Sequence, residues 1–367
     1  MKLRHVFFVV FLYTLYSIPS FSQVICVDKI SATPVSEVIV RDNSGKFLTI
    51  TDGNGNIQIP KSTDTLYLSH IGYAEYELGL PLESDTIWLT PLTYELPDVA
   101  ITARKGEYDY QVLHTLTRTY QYIDSIPVYF TETITDFYFP KKGQKLAYNL
   151  HSSRAYRNKE YIAIAGTESG AVSMQKNGIT NILANGCIPL PKEYSIVANT
   201  EDSSSMPCFL IKMNNGVAGS IKRKEQGSLE VKLDMLFPKT EKEQSFMGRT
   251  NTIKRKQVLY YFSSHIDETT MSRDGFDLYQ YLVSLETSYK KQSPVPILNV
   301  FEVYVLSREK ITRQEFRTVK SSRSYGAVSS SHNINHPEWQ EITSSIPSLP
   351  KVVQEALGNT LLLLPED

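Results

Sequence analysis

Between residues 23 and 104, short apolar runs recur about every ten residues, at Val24–Val27, Val38–Val40, Phe47–Ile50, Ile57–Ile59, Leu66–Leu68, Tyr73–Leu78 and Ile87–Leu89. Turn-forming clusters separate them, notably Asp42-Asn43-Ser44-Gly45, Asp52-Gly53-Asn54-Gly55-Asn56 and Leu82-Glu83-Ser84-Asp85. Strands of this length and spacing predict an antiparallel β-sandwich of about 80 residues. Within Thr65-Leu66-Tyr67-Leu68-Ser69 the alternation places Leu66 and Leu68 on one face. The pattern then changes. Tyr110, Leu113, Leu116, Tyr120 and Ile123 fall at spacings of three and four, which predicts an amphipathic helix over 107–124, stopped by Pro127. Strand character returns at Val128–Phe130, Thr133–Phe139, Ala147–Leu150, Tyr161–Ala165, Phe209–Met213, Leu229–Leu233, Val258–Phe262, Tyr279–Leu285 and Val300–Leu306. Such a series suits a curved antiparallel sheet or an open barrel. A late helix is expected at Pro350–Gly358, where Val352, Val353 and Leu357 share a face and Gly358 can cap it. The fold class expected is therefore mainly β, a sandwich followed by a β-rich domain with one leading amphipathic helix.

The start of the chain reads as an address. Lys2, Arg4 and His5 precede the apolar run Val6–Ile18, and Ser20-Phe21-Ser22 ends it with a small-x-small pattern. That is a secretory signal peptide at residues 1–22, with cleavage expected after Ser22. The apolar run falls short of the roughly 20 residues that span a bilayer. Cys26 follows Val24-Ile25, where a lipoprotein signal needs a small residue. No other stretch is long enough for a transmembrane helix, so none is expected after cleavage.

Composition sharpens this layout. The 367 residues include 41% hydrophobic and 21% charged positions, which excludes a disordered chain. Lys and Arg number 38 against 39 Asp and Glu, so no basic excess points to nucleic acid as a partner. The balance is uneven along the chain: residues 23–104 carry a net −6 and residues 105–367 a net +3. The shift predicts a domain boundary near residue 105 and an electrostatic attraction between the two parts. Tyr outnumbers Phe by 23 to 15, which favours strands. Of the three cysteines, Cys187 and Cys208 either pair across a loop, leaving Cys26 over, or all three serve as buried small hydrophobes. No Cys-x-x-Cys supports a redox or zinc motif.

Val27-Asp28, Pro34-Val35, Val38-Ile39-Val40, Thr51-Asp52-Gly53-Asn54-Gly55-Asn56-Ile57 and His70-Ile71-Gly72-Tyr73 occur in an order that resembles the carboxypeptidase-regulatory-like domain. Ile25 stands where that family usually has Gly. The resemblance covers residues 23–104 and implies a transthyretin-like, immunoglobulin-like sandwich. Such domains also precede the plug of TonB-dependent outer-membrane transporters in glycan-scavenging bacteria, where Glu95–Ile101 is similar to the exit strand. Tyr120–Tyr138 is similar to a segment of uncharacterised exported proteins from the same bacteria. Export to the periplasm or outer membrane of a Gram-negative bacterium follows, with an outer-membrane protein or a glycan as partner. Asp64-Thr65-Leu66, Asp85-Thr86-Ile87 and Asp124-Ser125-Ile126 are similar to that group's O-glycosylation signal.

The chemistry expected of these motifs is structural. Asp52 can accept backbone hydrogen bonds across its own turn, Gly53 and Gly55 permit positive φ, and Gly72 lets the backbone turn closely before Tyr73 enters the core. Asp52-x-Asn54-x-Asn56 opens like a calcium loop, but Ile57 and Thr63 replace its required Gly and Glu. His265-Ile266-Asp267-Glu268 has the His-x-x-Glu spacing of a zinc carboxypeptidase without its other signatures, and a strand-end histidine is the plainer reading. His332-Asn333-Ile334-Asn335-His336 has helical metal-ligand spacing but lies between Ser329-Ser330-Ser331 and Pro337, in an expected loop. Lys222-Arg223-Lys224 and Lys254-Arg255-Lys256 read as solvated hairpin ends, or more sharply as a site for acidic glycan, lipid headgroup or the acidic first domain. Gly166-Thr167-Glu168-Ser169-Gly170 lacks the order of a nucleophile elbow. No catalytic residue, cofactor or metal is assigned. The function expected is an exported, non-enzymatic binding or interaction protein. Its rivals are a glycan-binding accessory protein, a hydrolase with spatially assembled carboxylates, and an outer-membrane β-barrel.

Overall fold

A computed structural model of the chain describes residues 22–35, 38–42, 47–52, 54–59, 65–70, 73–81, 84–91, 100–101, 107–124, 126–141, 146–161, 194–198, 208–213, 216–223, 227–236, 243–246, 249–262, 275–289, 293–319 and 331–365. The signal segment 1–21, Gly53, Gly72, Glu95–Val99, Ile162–Ala165, Gly166–Gly170, Cys187 and His265–Glu268 lie outside the described residues. The chain forms two compact units, Met1–Tyr94 and Glu95–Asp367. The division falls about ten residues before the charge boundary, because Ala100–Ile101 is hydrogen-bonded to Ser307–Arg308 of the second unit.

Every apolar run of the first unit is a strand: β1 (Ser22–Asp28), β2 (Ile39–Asp42), β3 (Phe47–Ile50), β4 (Asn56–Ile59), β5 (Thr65–His70), β6 (Tyr73–Gly79) and β7 (Thr86–Leu89). They form two sheets, ordered β4-β1-β7 and β3-β2-β5-β6. One pairing departs from the antiparallel expectation, since β1 runs parallel to β7, with Cys26 opposite Ile87. Val24, Cys26, Val40, Ile57, Leu66, Leu68, Ile87 and Leu89 belong to one core. Alternation is plain in β4 and β7, where Ile57, Ile59, Ile87 and Leu89 are buried and Trp88 is 47% exposed. Burial also pushes the Cys26 thiol up to about 12, so this cysteine is an inert part of the core. The Cys208 side chain is outside the described residues.

The turn before β4 shows how Asp52 acts. Its Oδ1 accepts from the backbone N–H groups of Asn54 and Asn56 at 2.9 and 2.8 Å, and Oδ2 accepts from Asn56 Nδ2 at 3.2 Å. Gly55 adopts φ +75°, and a Cβ there would stand 2.6 Å from the Cys26 carbonyl oxygen, so glycine is required twice over. Tyr73 packs partly buried against the core, and its hydroxyl donates to Asp28 Oδ2 at 2.7 Å.

Among the described residues, the second unit is built on one sheet of 13 strands. These are β8 (Ala100–Ile101), β9 (Tyr110–Ile123), β10 (Ile126–Pro140), β11 (Ala147–Arg157), β12 (Tyr194–Ala198), β13 (Cys208–Met213), β14 (Gly216–Arg223), β15 (Leu229–Leu236), β16 (Glu243–Phe246), β17 (Arg249–Phe262), β18 (Phe276–Tyr289), β19 (Val295–Ile311) and β20 (Leu362–Leu363). The main path is β12-β13-β14-β15-β17-β18-β19-β9-β10-β11-β20. The helix expected at 107–124 is therefore wrong: this segment is β9, a central strand. Tyr110, Leu116 and Tyr120 point to one face and Leu113 and Ile123 to the other, and all five are buried. A strand covered on both faces places apolar residues at odd and even positions alike, and the resulting spacings of three imitate a helix. Pro127 lies near the start of β10 and ends no helix.

Leu113, Phe137, Phe139, Ile221, Val231, Tyr260 and Phe301 share the largest core, on one face of the sheet. Beside it runs a buried row of threonines, with Thr115, Thr117 and Thr119 opposite Thr135, Thr133 and Thr131. The Thr117 and Thr133 hydroxyls meet at 2.5 Å, and Thr115 donates to the Thr135 carbonyl at 2.9 Å. Hydrogen bonds to a neighbouring side chain or backbone carbonyl thus satisfy polar groups taken from water. The expected hairpin end at Lys222-Arg223 closes β14, where Arg223 donates to the Gly227 carbonyl. Lys254–Lys256 instead lies inside β17, and Lys254 pairs with Glu286 of β18 at 2.8 Å.

Among the described residues, three short α-helices lie between β19 and β20: α1 (Arg313–Val319), α2 (Glu338–Ser345) and α3 (Lys351–Ala356). The last is the expected late helix, and Gly358 beyond it takes φ +78°. Among the described residues, no helix is long and apolar enough to cross a membrane.

Candidate functional site

The face of the sheet opposite the threonine row carries a line of polar side chains in direct register across five strands: Gln280 of β18, Glu302 of β19, Arg118 of β9, Glu132 of β10 and Arg154 of β11. Antiparallel pairing sets these residues side by side, so acid and base alternate along the line. Arg118 Nε donates to Glu132 Oε1 at 2.9 Å, and Arg154 Nη2 donates to Glu132 Oε2 at 2.8 Å. Glu302 accepts from Gln280 Nε2 at 2.8 Å and from the Tyr120 and Tyr304 hydroxyls, each at 3.1 Å. Arg118 is only 3% exposed. Burial works against its charge, but Tyr120, Glu132, Tyr304 and Glu302 around it prevail and hold the guanidinium above its ordinary pKa. Tyr120 is pushed well up by burial first and by the Glu302 carboxylate second.

The C-terminal segment lies against this face. Arg118 Nη1 donates to the Pro347 carbonyl at 2.6 Å. The Arg154 guanidinium stacks 3.9 Å from the Trp339 ring, whose Nε1 donates to Ser152 Oγ at 2.8 Å. Between the segment and the sheet is a cleft of about 300 Å³. Arg118, Glu132 and Arg154 line it together with the stacked rings of Phe130 and Tyr156, whose centroids are 5.7 Å apart. Ser348, Leu349, Gln354 and Leu357 form the other wall. A cleft with an aromatic wall and fixed hydrogen-bonding side chains is of the kind that holds a small polar ligand.

Four residues along from this line, the same face bears a histidine cluster. His114 and Asp136 are direct partners on β9 and β10, and His114 Nδ1 lies 2.6 Å from Asp136 Oδ1. His151 Nε2 lies 2.8 Å from Asp136 Oδ2. His151 reaches this face through a bulge, because Ser152 opposes Ile134 and Leu150 opposes Thr135, with His151 the extra residue between them. His114 Nε2 is also 3.2 Å from Glu338 Oε2 of α2. Burial pushes the Asp136 carboxyl up, but hydrogen bonds from both imidazoles and their charge hold it well below the usual range. Burial likewise lowers His114, and the Asp136 and Glu338 carboxylates outweigh it, leaving its pKa raised.

Of the motifs noted in the sequence, one half-joins this cluster. The His336 ring centroid stands 6.2 Å from that of His151, and His336 Nδ1 is 3.9 Å from Glu338. His332 is tied by its backbone to Ser153, with hydrogen bonds of 2.7 and 2.9 Å, so the two do not form a helical pair. Asp52, Gly55 and Tyr73 belong to the sandwich, as structural residues. Arg118, Glu132, Arg154, His114, Asp136 and His151 were not singled out by sequence reasoning. The signal was the period-two Thr-x-Thr-x-Thr of residues 115–119, repeated at 131–135. Read as two strands of one hairpin, it sets Arg118 opposite Glu132 and His114 opposite Asp136. No protein-family model matches the chain, and no curated protein matches it.

Proposed function

We propose that the chain is an exported, non-enzymatic binding protein of a Gram-negative periplasm or outer membrane, whose cleft on the large sheet receives a small polar ligand, a segment of glycan. The observation that carries this reading is the alternating Glu302–Arg118–Glu132–Arg154 line bordering the Phe130–Tyr156 wall. Stacked aromatic rings suit the apolar face of a sugar ring, and guanidinium, carboxylate and amide groups suit its hydroxyls. Arg118 and Glu132 are already locked in ion pairs, which suits recognition better than proton transfer. The N-terminal unit is proposed to be a carboxypeptidase-regulatory-like domain that links the binding body to an outer-membrane partner. Its support is the two-sheet order, the Asp52 turn, the glycine at residue 55 and the Tyr73–Asp28 bond. The signal-like start of the sequence supports export.

Calorimetric titration of the full chain with neutral and acidic oligosaccharides is the direct test. Saturable binding that Arg154→Ala and Tyr156→Ala each weaken at least tenfold is expected. Absence of binding at millimolar concentration, or binding indifferent to both substitutions, overturns the glycan reading. Hydrolysis of a bound oligosaccharide that Glu132→Gln abolishes overturns the non-enzymatic part.

A further inference from the structure

We propose that His114, Asp136 and His151 form a binding site for a divalent transition-metal ion of the zinc class, with Glu338 orienting His114. Three adjacent strands bring their ligand atoms within 4.8 Å of one another. Two imidazoles and a carboxylate are a donor set that zinc and its first-row neighbours accept, whereas calcium and magnesium favour shells of oxygen. His114 Nδ1 and His151 Nε2 converge on the two oxygens of one carboxylate, at 2.6 and 2.8 Å. An ion entering between them exchanges the two hydrogen bonds for two nitrogen–metal bonds and one oxygen–metal bond. Each ring nitrogen that carried a proton releases it to solvent. Ligands bonded at about 2.0–2.1 Å around a tetrahedral ion stand roughly 3.3 Å apart, so each nitrogen opens slightly from the carboxylate oxygen it now meets, and the ligand atoms, all within 4.8 Å of one another, draw in to that spacing.

Two further features fit a metal centre better than a surface ion pair. Glu338 Oε2, a buried oxygen with no hydrogen-bond partner among the described residues, stands 3.2 Å from the second nitrogen of His114, in position to complete the carboxylate–histidine–metal arrangement that fixes a ligand's tautomer and ring orientation. The bulge in β11 exists at the position that turns His151 onto this face, and bulges of this kind re-aim side chains at sites. The Asp136, His114 and His151 side chains are 16%, 22% and 29% exposed, which leaves the ion a side open to water. Three protein ligands and one open position are the pattern of a site where a metal also meets a ligand. The proposal does not rest on the glycan reading of the cleft.

The test is titration of the chelator-treated full chain with Zn²⁺ alone, followed by calorimetry and thermal denaturation. One ion per chain and a rise in melting temperature are expected. His114→Ala and His151→Ala should each weaken binding at least tenfold, and Glu338→Gln, which leaves all three ligands in place, by about 10–100-fold. Substitution with Co²⁺ should give the visible absorption of a tetrahedral nitrogen–oxygen site, and His151→Ala should abolish it. Should an alanine variant fail to fold, the Glu338→Gln affinity and the wild-type Co²⁺ spectrum decide. No Zn²⁺ uptake at about 0.1 mM, or equal affinity in wild type and a folded His151→Ala variant, overturns the site.

Discussion

The two units solve the burial of a sheet differently. In the sandwich, β4 and β7 have one face in the core and one toward water, so Ile87 and Leu89 are buried while Trp88 between them is half exposed. In the large sheet, β9 and β10 are buried on both faces, one by apolar clusters and threonines, the other by a charged line and the C-terminal segment. The first arrangement is held by non-directional burial, worth about 1.5–3 kcal/mol for each large apolar side chain. The second adds groups that are tolerated only with their partners in place. Damage to the sandwich should therefore be graded, and damage to the charged line abrupt.

The largest effect is expected from Glu132→Ala. It strands Arg118 as a buried charge without its main partner, at a cost of about 3–5 kcal/mol. Hydrogen exchange on the full chain should quicken across 110–123 and 147–157 and stay unchanged across 24–89. Equal loss of protection in both regions would show that the units are not independent. Gly55→Ala is expected to cost about 2–3 kcal/mol, from the left-handed backbone and the close Cys26 carbonyl, with exchange quickening confined to the sandwich. Tyr73→Phe removes a bond to a carboxylate and should cost about 1.5 kcal/mol at neutral pH in chemical denaturation.

The Tyr73→Phe cost also has a sign in pH. Burial raises the Asp28 carboxyl, but hydrogen bonds from Ser31, Tyr73 and Ile30 outweigh it and depress its pKa. A depressed carboxylate contributes stability that is present above its unfolded value of about 3.9 and is lost as pH falls through the folded one. The Tyr73→Phe penalty should therefore shrink below about pH 4; a penalty that grows on acidification would refute this assignment. The smallest effect is expected at Trp88→Thr on the outer face of β7, within about 0.5 kcal/mol by the same denaturation. A loss of several kcal/mol there would mean that this face is covered after all.

The same contrast explains what was legible in the sequence. All seven strands of the sandwich lie at the expected runs, because one-sided burial writes its period into the residue types. In the large sheet β13, β15, β17, β18 and β19 are found where apolar runs mark them, though several extend well beyond. β9 carries a helix-like pattern because two-sided burial erases its alternation. The candidate sites were hidden for a related reason. Sequence inspection favours close pairs such as His332 and His336, whereas Asp136 stands 22 residues from His114 and 15 from His151. Only the hairpin register and one bulge bring those three together, and a bulge leaves no mark in composition.

The strand order also carries a consequence for assembly. The second unit begins at its own centre: β9, β10 and β11 build outward in sequence, and the chain then restarts at the distant strand β12 and returns hairpin by hairpin until β19 docks beside β9. That last pairing joins Tyr110–Ile123 to Ile297–Ile311, across nearly two hundred residues. Closing so long a loop is slow, and until it happens one edge of β9 stands unpaired. Over that interval the open edge of β9 is a template on which another strand can pair.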